Sequence, residues 1–184
     1  MKILTLLGSS REEGNTEALV KQIMQGIDYT SITLSHHTIQ PISDKRHSIE
    51  GFTPVHDDYE KILQEVLSHD ILIFATPIYW FGMSGQMKVF IDRWSQYLRD
   101  SRYHMKEELS KKTAYVVLTG GTNPKITGLP LIQQFSYIFD FVHMKFEDYI
   151  IGEAVKPGEI LLDSKALLKA EEWNHNFTAS MNNK

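Results

Sequence analysis

The chain contains no cysteine. Disulfides, thiolate zinc sites, cysteine nucleophiles and iron–sulfur clusters are thereby excluded together. A basic excess is missing too: 19 Lys and Arg face 23 Asp and Glu, a net charge of −4 with a pI near 6.0. Nucleic-acid binders carry a positive face, so no nucleic-acid partner is expected. No apolar run approaches the length of a membrane span, so no membrane partner is expected either. The run Ile3–Leu7 behind Met1-Lys2 is too short for a signal peptide and lacks a small-residue cleavage site. A cytoplasmic protein is the expectation. Its 42% apolar content supports a real hydrophobic core, and 184 residues suffice for one domain but hardly for two. A single domain over 1–184 is expected, with a C-terminal helix and tail after about residue 152.

What is present alternates between short β-branched runs and amphipathic helical segments. Ile3–Leu7, Ile71–Ala75, Ala114–Leu118 and Phe146–Ile151 read as strands, the first a continuous apolar run suited to burial on both faces. Ser31–Leu34 alternates, as a shorter strand nearer an edge does. Asn15 reads as the cap of a helix carrying Leu19, Ile23 and Ile27. Residues 35–55 are polar, with Pro41, Gly51 and Pro54, and read as a long loop. Thr53-Pro54 then has the chemistry of a helix start, with Asp57 and Asp58 complementing its dipole. Further helical faces are Met87–Leu98, Leu131–Phe139 and Ala166–Phe177. Five strands separated by helices argue for parallel crossovers and a three-layer α/β sandwich.

Ligands of open parallel sheets bind beyond the carboxyl ends of the strands. Three loops there carry special chemistry. Gly8-Ser9-Ser10-Arg11-Glu12-Glu13-Gly14-Asn15-Thr16 joins the first strand to the first helix. Small residues turn N–H groups toward an anion and the helix start adds positive potential, which suits a phosphate monoester. Asn15 follows Gly14 where a Walker A loop needs lysine, and Ser10 sits where a Rossmann loop needs glycine. The same stretch also reads as an ordinary Gly/Ser turn. The second loop runs Thr76-Pro77-Ile78-Tyr79-Trp80-Phe81-Gly82-Met83-Ser84-Gly85, with three consecutive aromatics. They either pack inside or offer a flat ligand or another subunit a surface; consecutive side chains cannot all face one way, so at least one is expected to point toward a site or partner. The third, Thr119-Gly120-Gly121, lets backbone approach a ligand closely.

GSSREEGNT, ATPIYWFGMSGQMKVFIDR and LTGGT, in that order, resemble the NADPH-dependent FMN reductases of the flavodoxin-like superfamily. The resemblance runs from Met1 to about Ile151. It implies a five-stranded parallel sheet of order 2-1-3-4-5 with helices on both faces. It implies that Ser9, Ser10, Arg11, Gly14, Asn15 and Thr16 hold an FMN phosphate, that Pro77, Ile78, Tyr79, Trp80, Phe81 and Gly82 line the isoalloxazine ring, and that Thr119, Gly120 and Gly121 border its other edge. NADPH or NADH would donate hydride to FMN, and a small-molecule electron acceptor (quinone, azo or nitro compound, metal ion or free flavin) would take it. The flavin would carry the chemistry, with no catalytic protein side chain. A homodimer or homotetramer is implied as well. Met87-Lys88 and Ile91-Asp92-Arg93 fit a structural or interfacial helix signature. The chain is also similar to iron–sulfur flavoproteins, but its stretch Gln40–Gly51 holds none of their cluster cysteines.

Two other readings stand beside this one: a flavodoxin-like one-electron carrier without nicotinamide activity, and a non-catalytic nucleotide-binding module. Carriers are usually far more acidic, and a regulatory module has no use for exposed aromatics. His36, His37, His47 and His56 lack the spacing of metal ligands, so no metal is expected. Trp94 and Tyr97 fit either core or a dimer interface, and the tail around Pro157-Gly158 is a candidate crossing to a neighbouring subunit.

Overall fold

The computed structural model describes residues 1–182; Asn183 and Lys184, the last two positions of the expected 1–184 domain, lie outside the described residues. Among the described residues the order is β1 (Ile3–Leu7), α1 (Asn15–Ile23), β2 (Thr30–Thr33), α2 (Tyr59–Ser68), β3 (Ile71–Pro77), α3 (Gly85–Asp92), α4 (Trp94–Tyr97), α5 (Met105–Ser110), β4 (Thr113–Gly120), α6 (Pro124–Thr127), α7 (Leu129–Phe141), β5 (Lys145–Glu153) and α8 (Ser164–Asn182). All strand pairs are parallel, in the order β2-β1-β3-β4-β5. This is the flavodoxin-like α/β sandwich expected above.

Period-two alternation splits each central strand between two cores. Leu4, Leu6, Leu72, Phe74, Val116 and Leu118 pack under α2, α3, α4, α5 and α7. Ile3, Leu7, Ile71, Ile73, Ala75 and Val117 pack under α1 and α8. Each such fully buried aliphatic side chain contributes about 1.5–3 kcal/mol, so the sheet holds its own register. That register matters for function. Leu7 lies opposite Ala75, Pro77 opposite Thr119 and Gly120 opposite Glu153, which brings the loops after β1, β3, β4 and β5 to one end of the sheet.

Three expectations are corrected. The helix expected at Thr53-Pro54 begins only at Tyr59, with Asp58 at its N-cap. Asp57 is withheld from the helix because its carboxylate takes the buried Arg93 guanidinium (2.6 Å) and the N–H groups of Gln40 (2.9 Å) and Tyr59 (3.1 Å). Asp58 instead accepts from the N–H of Thr38 (3.0 Å), so both acids fasten the 37–58 loop. The helix expected over Met87–Leu98 divides at Arg93, where Gln96 N–H bonds the Arg93 carbonyl and tightens the turn. Asn15 is not the cap of α1; Gly14 is, and Asn15 is the first helical residue. Around Pro157-Gly158 the Asn15 side chain donates to the Lys156 carbonyl (2.8 Å) and accepts from Ile160 N–H (3.3 Å), while Val155 to Gly158 stay exposed.

Trp94 and Tyr97 are core residues, both buried. No helix among the described residues is long and apolar enough to cross a membrane. Among the described residues no group of three or more His, Asp or Glu is arranged to hold a metal.

Candidate functional site

The first site loop is built by short-range hydrogen bonds. Gly8 N–H donates to the Ala75 carbonyl (2.7 Å), carrying the β1–β3 pairing one residue past β1. A Cβ at Gly8 would stand 2.8 Å from Ser84 Oγ and 3.0 Å from Met87 Cβ, so the loop can lie against the start of α3 only with glycine there. The buried Ser9 hydroxyl accepts from Arg11 N–H (3.1 Å) and curls the chain. Glu13 is left-handed (φ 51°), and its N–H is taken by the Glu17 carboxylate (3.0 Å). The chain then enters α1 with the N–H groups of its first turn pointing out. Those of Asn15, Thr16 and Glu17 have no acceptor within the helix. They make the positive end of α1 an anion seat.

Beneath that seat the hydroxyls of Thr16 and Thr119, both buried, share a 2.5 Å hydrogen bond that joins the start of α1 to the end of β4. Across from it, Ile78 N–H donates to the Thr119 carbonyl (2.8 Å). The Ile78 side chain covers Gly120 so closely that a Cβ there would lie 3.2 Å away. Thr76 Oγ1 accepts from Ser84 N–H (3.0 Å), and Ser84 Oγ accepts from Met87 N–H (3.2 Å), capping α3.

The aromatic run makes a tight turn. Tyr79 N–H bonds the Gly82 carbonyl (3.0 Å), and Gly82 N–H returns the bond to Tyr79 (2.9 Å). Trp80 (φ 49°) and Phe81 (φ 64°) both sit in left-handed backbone, the geometry of a type I′ turn. That geometry belongs to Asn-Gly; for two bulky aromatics it stores strain of order 1–3 kcal/mol per residue. The turn resolves the facing problem by leaving the strand. Tyr79, Trp80 and Phe81 are 48%, 95% and 61% exposed, so all three are offered outward.

Between these loops lies a cleft of about 230 Å³ lined by Ser9, Arg11, Gly14, Asn15, Thr16, Pro77, Ile78, Tyr79, Thr119, Gly120, Gly121, Ala154 and Val155. Eleven of the fifteen residues singled out in the sequence thus line one space. Ser10 is exposed on the loop outside it, and Trp80, Phe81 and Gly82 form the turn beside it. Ala154 and Val155 were missed. They carry no motif, but they follow β5 at the same sheet end as the other loops, which was the available signal.

A family model for NADPH-dependent FMN reductases matches residues 1–155. The Bacillus subtilis protein YwqN, assigned by name as an NAD(P)H-dependent FMN-containing oxidoreductase, is 54% identical over 171 residues, 92% of this chain and 94% of its own. A solved structure of the Trp repressor binding protein from Bacillus subtilis superposes with a TM-score of 0.78 at 47% identity, covering 92% of this chain and 95% of that one. An FMN-dependent NADH-azoreductase from Bacillus anthracis, solved with FMN, has the same fold at 13% identity, with a TM-score of 0.68 and coverage of 96% and 99%. Matched by that family model over residues 1–155 and 54% identical to YwqN over 92% of its length, the chain belongs to the NADPH-dependent FMN reductase family.

Proposed function

We propose that this cleft holds FMN, and that the chain works as an NAD(P)H-dependent FMN oxidoreductase. One observation carries the reading above the others: an anion-binding helix start and a strained, outward-facing Trp-Phe turn flank a single cleft. A flavin mononucleotide is a phosphate at one end and a flat ring at the other, so the two chemistries match in kind and in order.

The residues fit the group on the structure itself. The N-terminal N–H groups of α1, the Ser9 hydroxyl and the Arg11 guanidinium are donors suited to a phosphate monoester. Gly120 and Gly121 leave bare backbone at the cleft, with a Cβ at Gly120 lying 3.2 Å from the Ile78 side chain and one at Gly121 2.7 Å from Val155 Cγ2. Pro77, Ile78 and Tyr79 supply the opposing wall. FMN when bound supplies hydride acceptance from NADPH or NADH and delivery of the reducing equivalents to an acceptor. The chain's own task is to bind, orient and shield. Tyr79, Trp80 and Phe81 form the apolar platform on which a nicotinamide or a flat acceptor stacks, and the buried Thr16–Thr119 bond keeps the two ends of the cleft at fixed separation. Flat acceptors, quinones or azo compounds among them, suit that platform best.

The same reading takes the protein as one cytoplasmic domain that self-associates. Leu129, Tyr137 and Phe141 stand exposed along α7, beside a groove of about 460 Å³ walled by Ile91, Leu98 and Ile138. An apolar stripe of this kind is normally covered, and a second copy is the natural cover.

The turn gives the test. In a W80N/F81G variant the left-handed positions receive the residues they favour, and the protein gains stability, by about 1 kcal/mol or more. FMN-dependent NAD(P)H oxidation falls about tenfold in kcat/KM, since two stacking surfaces worth about 0.5–1.5 kcal/mol each are removed. Thermal unfolding and initial rates on the same preparation decide. A stabilised variant with undiminished kcat/KM would show that the aromatics serve no substrate.

A further inference from the structure

One wall of the cleft comes from a segment that belongs to none of the three site loops. After β5 the chain crosses as Ala154–Ile160 and only then reaches α8. Both ends are fixed: Ala154 N–H donates to the Gly120 carbonyl (2.8 Å), Ala154 and Ile160 are buried, and Ile160 presses on Gly152. The middle is not. Val155, Lys156, Pro157 and Gly158 are exposed.

This middle holds its own shape. Glu159 Oε2 accepts from the N–H groups of Val155 and Lys156, both at 2.8 Å, and Gly158 takes the left-handed turn (φ 84°) that closes the loop. Those two N–H groups hold the Glu159 carboxyl below its usual range, so it is charged at neutral pH. Its ties to the rest of the protein are few and graded. Asn15 grips the far end through Lys156 and Ile160. At the near end Arg11 Nη1 reaches the Val155 carbonyl at 3.4 Å, a long bond in solvent, and the Val155 side chain rests over Gly121. The segment is therefore rigid within itself, anchored at Ala154 and through Asn15, and lightly latched between them at Val155.

Size points the same way. A cleft of about 230 Å³ is smaller than the roughly 300–1,000 Å³ usual for ligand pockets. Of its walls, β1, β3, β4 and α1 are fixed by the sheet and its cores, whereas Val155 is exposed and meets the rest of the cleft through the long Arg11 bond and its contact over Gly121. Lifting it enlarges the cleft without breaking a core.

We propose that Ala154–Ile160 is a retaining strap over the cofactor cleft, latched by Arg11 on the Val155 carbonyl and positioned by Asn15 and Glu159, and that FMN enters and leaves only when it lifts. This rests on the FMN reading of the cleft. Arg11 carries five N–H donors, so Nη1 can keep the strap carbonyl while the others take a cofactor phosphate. The Asn15 side chain and Glu159 set where the strap lies.

The chain's lack of cysteine makes a clean lock available. A Cβ built at Gly121 lies 4.0 Å from Val155 Cβ, within the 3.5–4.5 Å that a disulfide spans. A G121C/V155C variant loaded with FMN and then oxidised is expected to release FMN at least tenfold more slowly than the same sample reduced with dithiothreitol. Release is followed by recovery of free-flavin fluorescence, and the bond is verified by mass. Equal release rates in the two forms overturn the proposal, because a static wall is indifferent to being tied. Should that variant not bind FMN, E159Q decides without adding bulk to the cleft. Its loosened strap is expected to raise the release rate about fivefold, and an unchanged rate overturns the proposal. Wild-type protein that fails to bind FMN overturns the cofactor reading itself, and the strap with it; wild-type binding with the expected variant effects absent overturns the strap alone.

Discussion

FMN is expected to bind this chain at least a hundredfold more tightly than riboflavin. The two ligands share the ring and differ in the phosphate, so the ratio isolates the helix end of the cleft. There the first-turn N–H groups of α1 and the Arg11 guanidinium converge on one space with the Ser9 hydroxyl. A hydrogen bond to a charged group contributes about 1.5–3 kcal/mol net, so two of them give about 3–6 kcal/mol. At 1.4 kcal/mol per tenfold, that is a discrimination of about a hundredfold to ten-thousandfold. R11A should weaken FMN and leave riboflavin nearly unchanged, and raising the salt should erode the FMN affinity alone. Fluorescence-quenching titrations of both flavins at fixed ionic strength measure the ratio. Equal affinities would mean that the loop after β1 is merely a turn with a good cap.

The second large effect is on stability. Arg93 is fully buried, its guanidinium 4.7 Å above the Tyr59 ring, with Nη1 donating to Asp57 Oδ2 (2.6 Å) and to the Gln40 carbonyl (2.9 Å). Nη2 reaches the Tyr97 hydroxyl (3.5 Å), which donates to Glu60 (3.3 Å). Burial, then the Glu60 carboxylate, pushes the Tyr97 phenol up to about 12, so it stays a neutral donor. The Arg93 Nε–H is buried without a partner, which already costs some of what the pair contributes. Removing one member leaves the other charge stranded, at about 3–5 kcal/mol. D57A should therefore lower Tm by about 10 °C, at roughly 2–4 °C per kcal/mol for a chain of this size. An R93M/D57L double variant should recover much of the loss, because an apolar pair of similar volume needs no charge compensation. Urea or thermal unfolding of the three proteins checks this. A D57A protein within about 1 kcal/mol of wild type would show the pair to be solvated, against its complete burial here.

The strands were readable in the sequence because their information is local. Ile3–Leu7 and Ile71–Ala75 are continuous apolar runs, and a strand buried on both faces admits little else. The three site loops were readable because the carboxyl ends of the parallel strands β1, β3 and β4 must lie at one end of the sheet. The start of α2 was not, because what delays it to Tyr59 is a partner of Asp57 that lies 36 residues further on, in the core. Nor was the role of Asn15. Its type fits a cap, and only the return of the chain at Lys156 and Ile160 claims its amide for another task. The conformation of Trp80 and Phe81 was hidden for the opposite reason. Local preference argues against left-handed aromatics, so the sequence signals composition there but not geometry. Ala154 and Val155 carry no residue type that announces a site; only topology places them in one.

The most direct test of the account is anaerobic mixing of the FMN-loaded protein with NADPH, and separately with NADH, while the visible flavin band is followed. At least one nicotinamide is expected to bleach the band as fast as or faster than steady-state turnover, before any acceptor is present. A protein that retains FMN but keeps it oxidised against both would be an electron carrier on the same fold. A protein that takes up no FMN at all would contradict the assignment of the cleft.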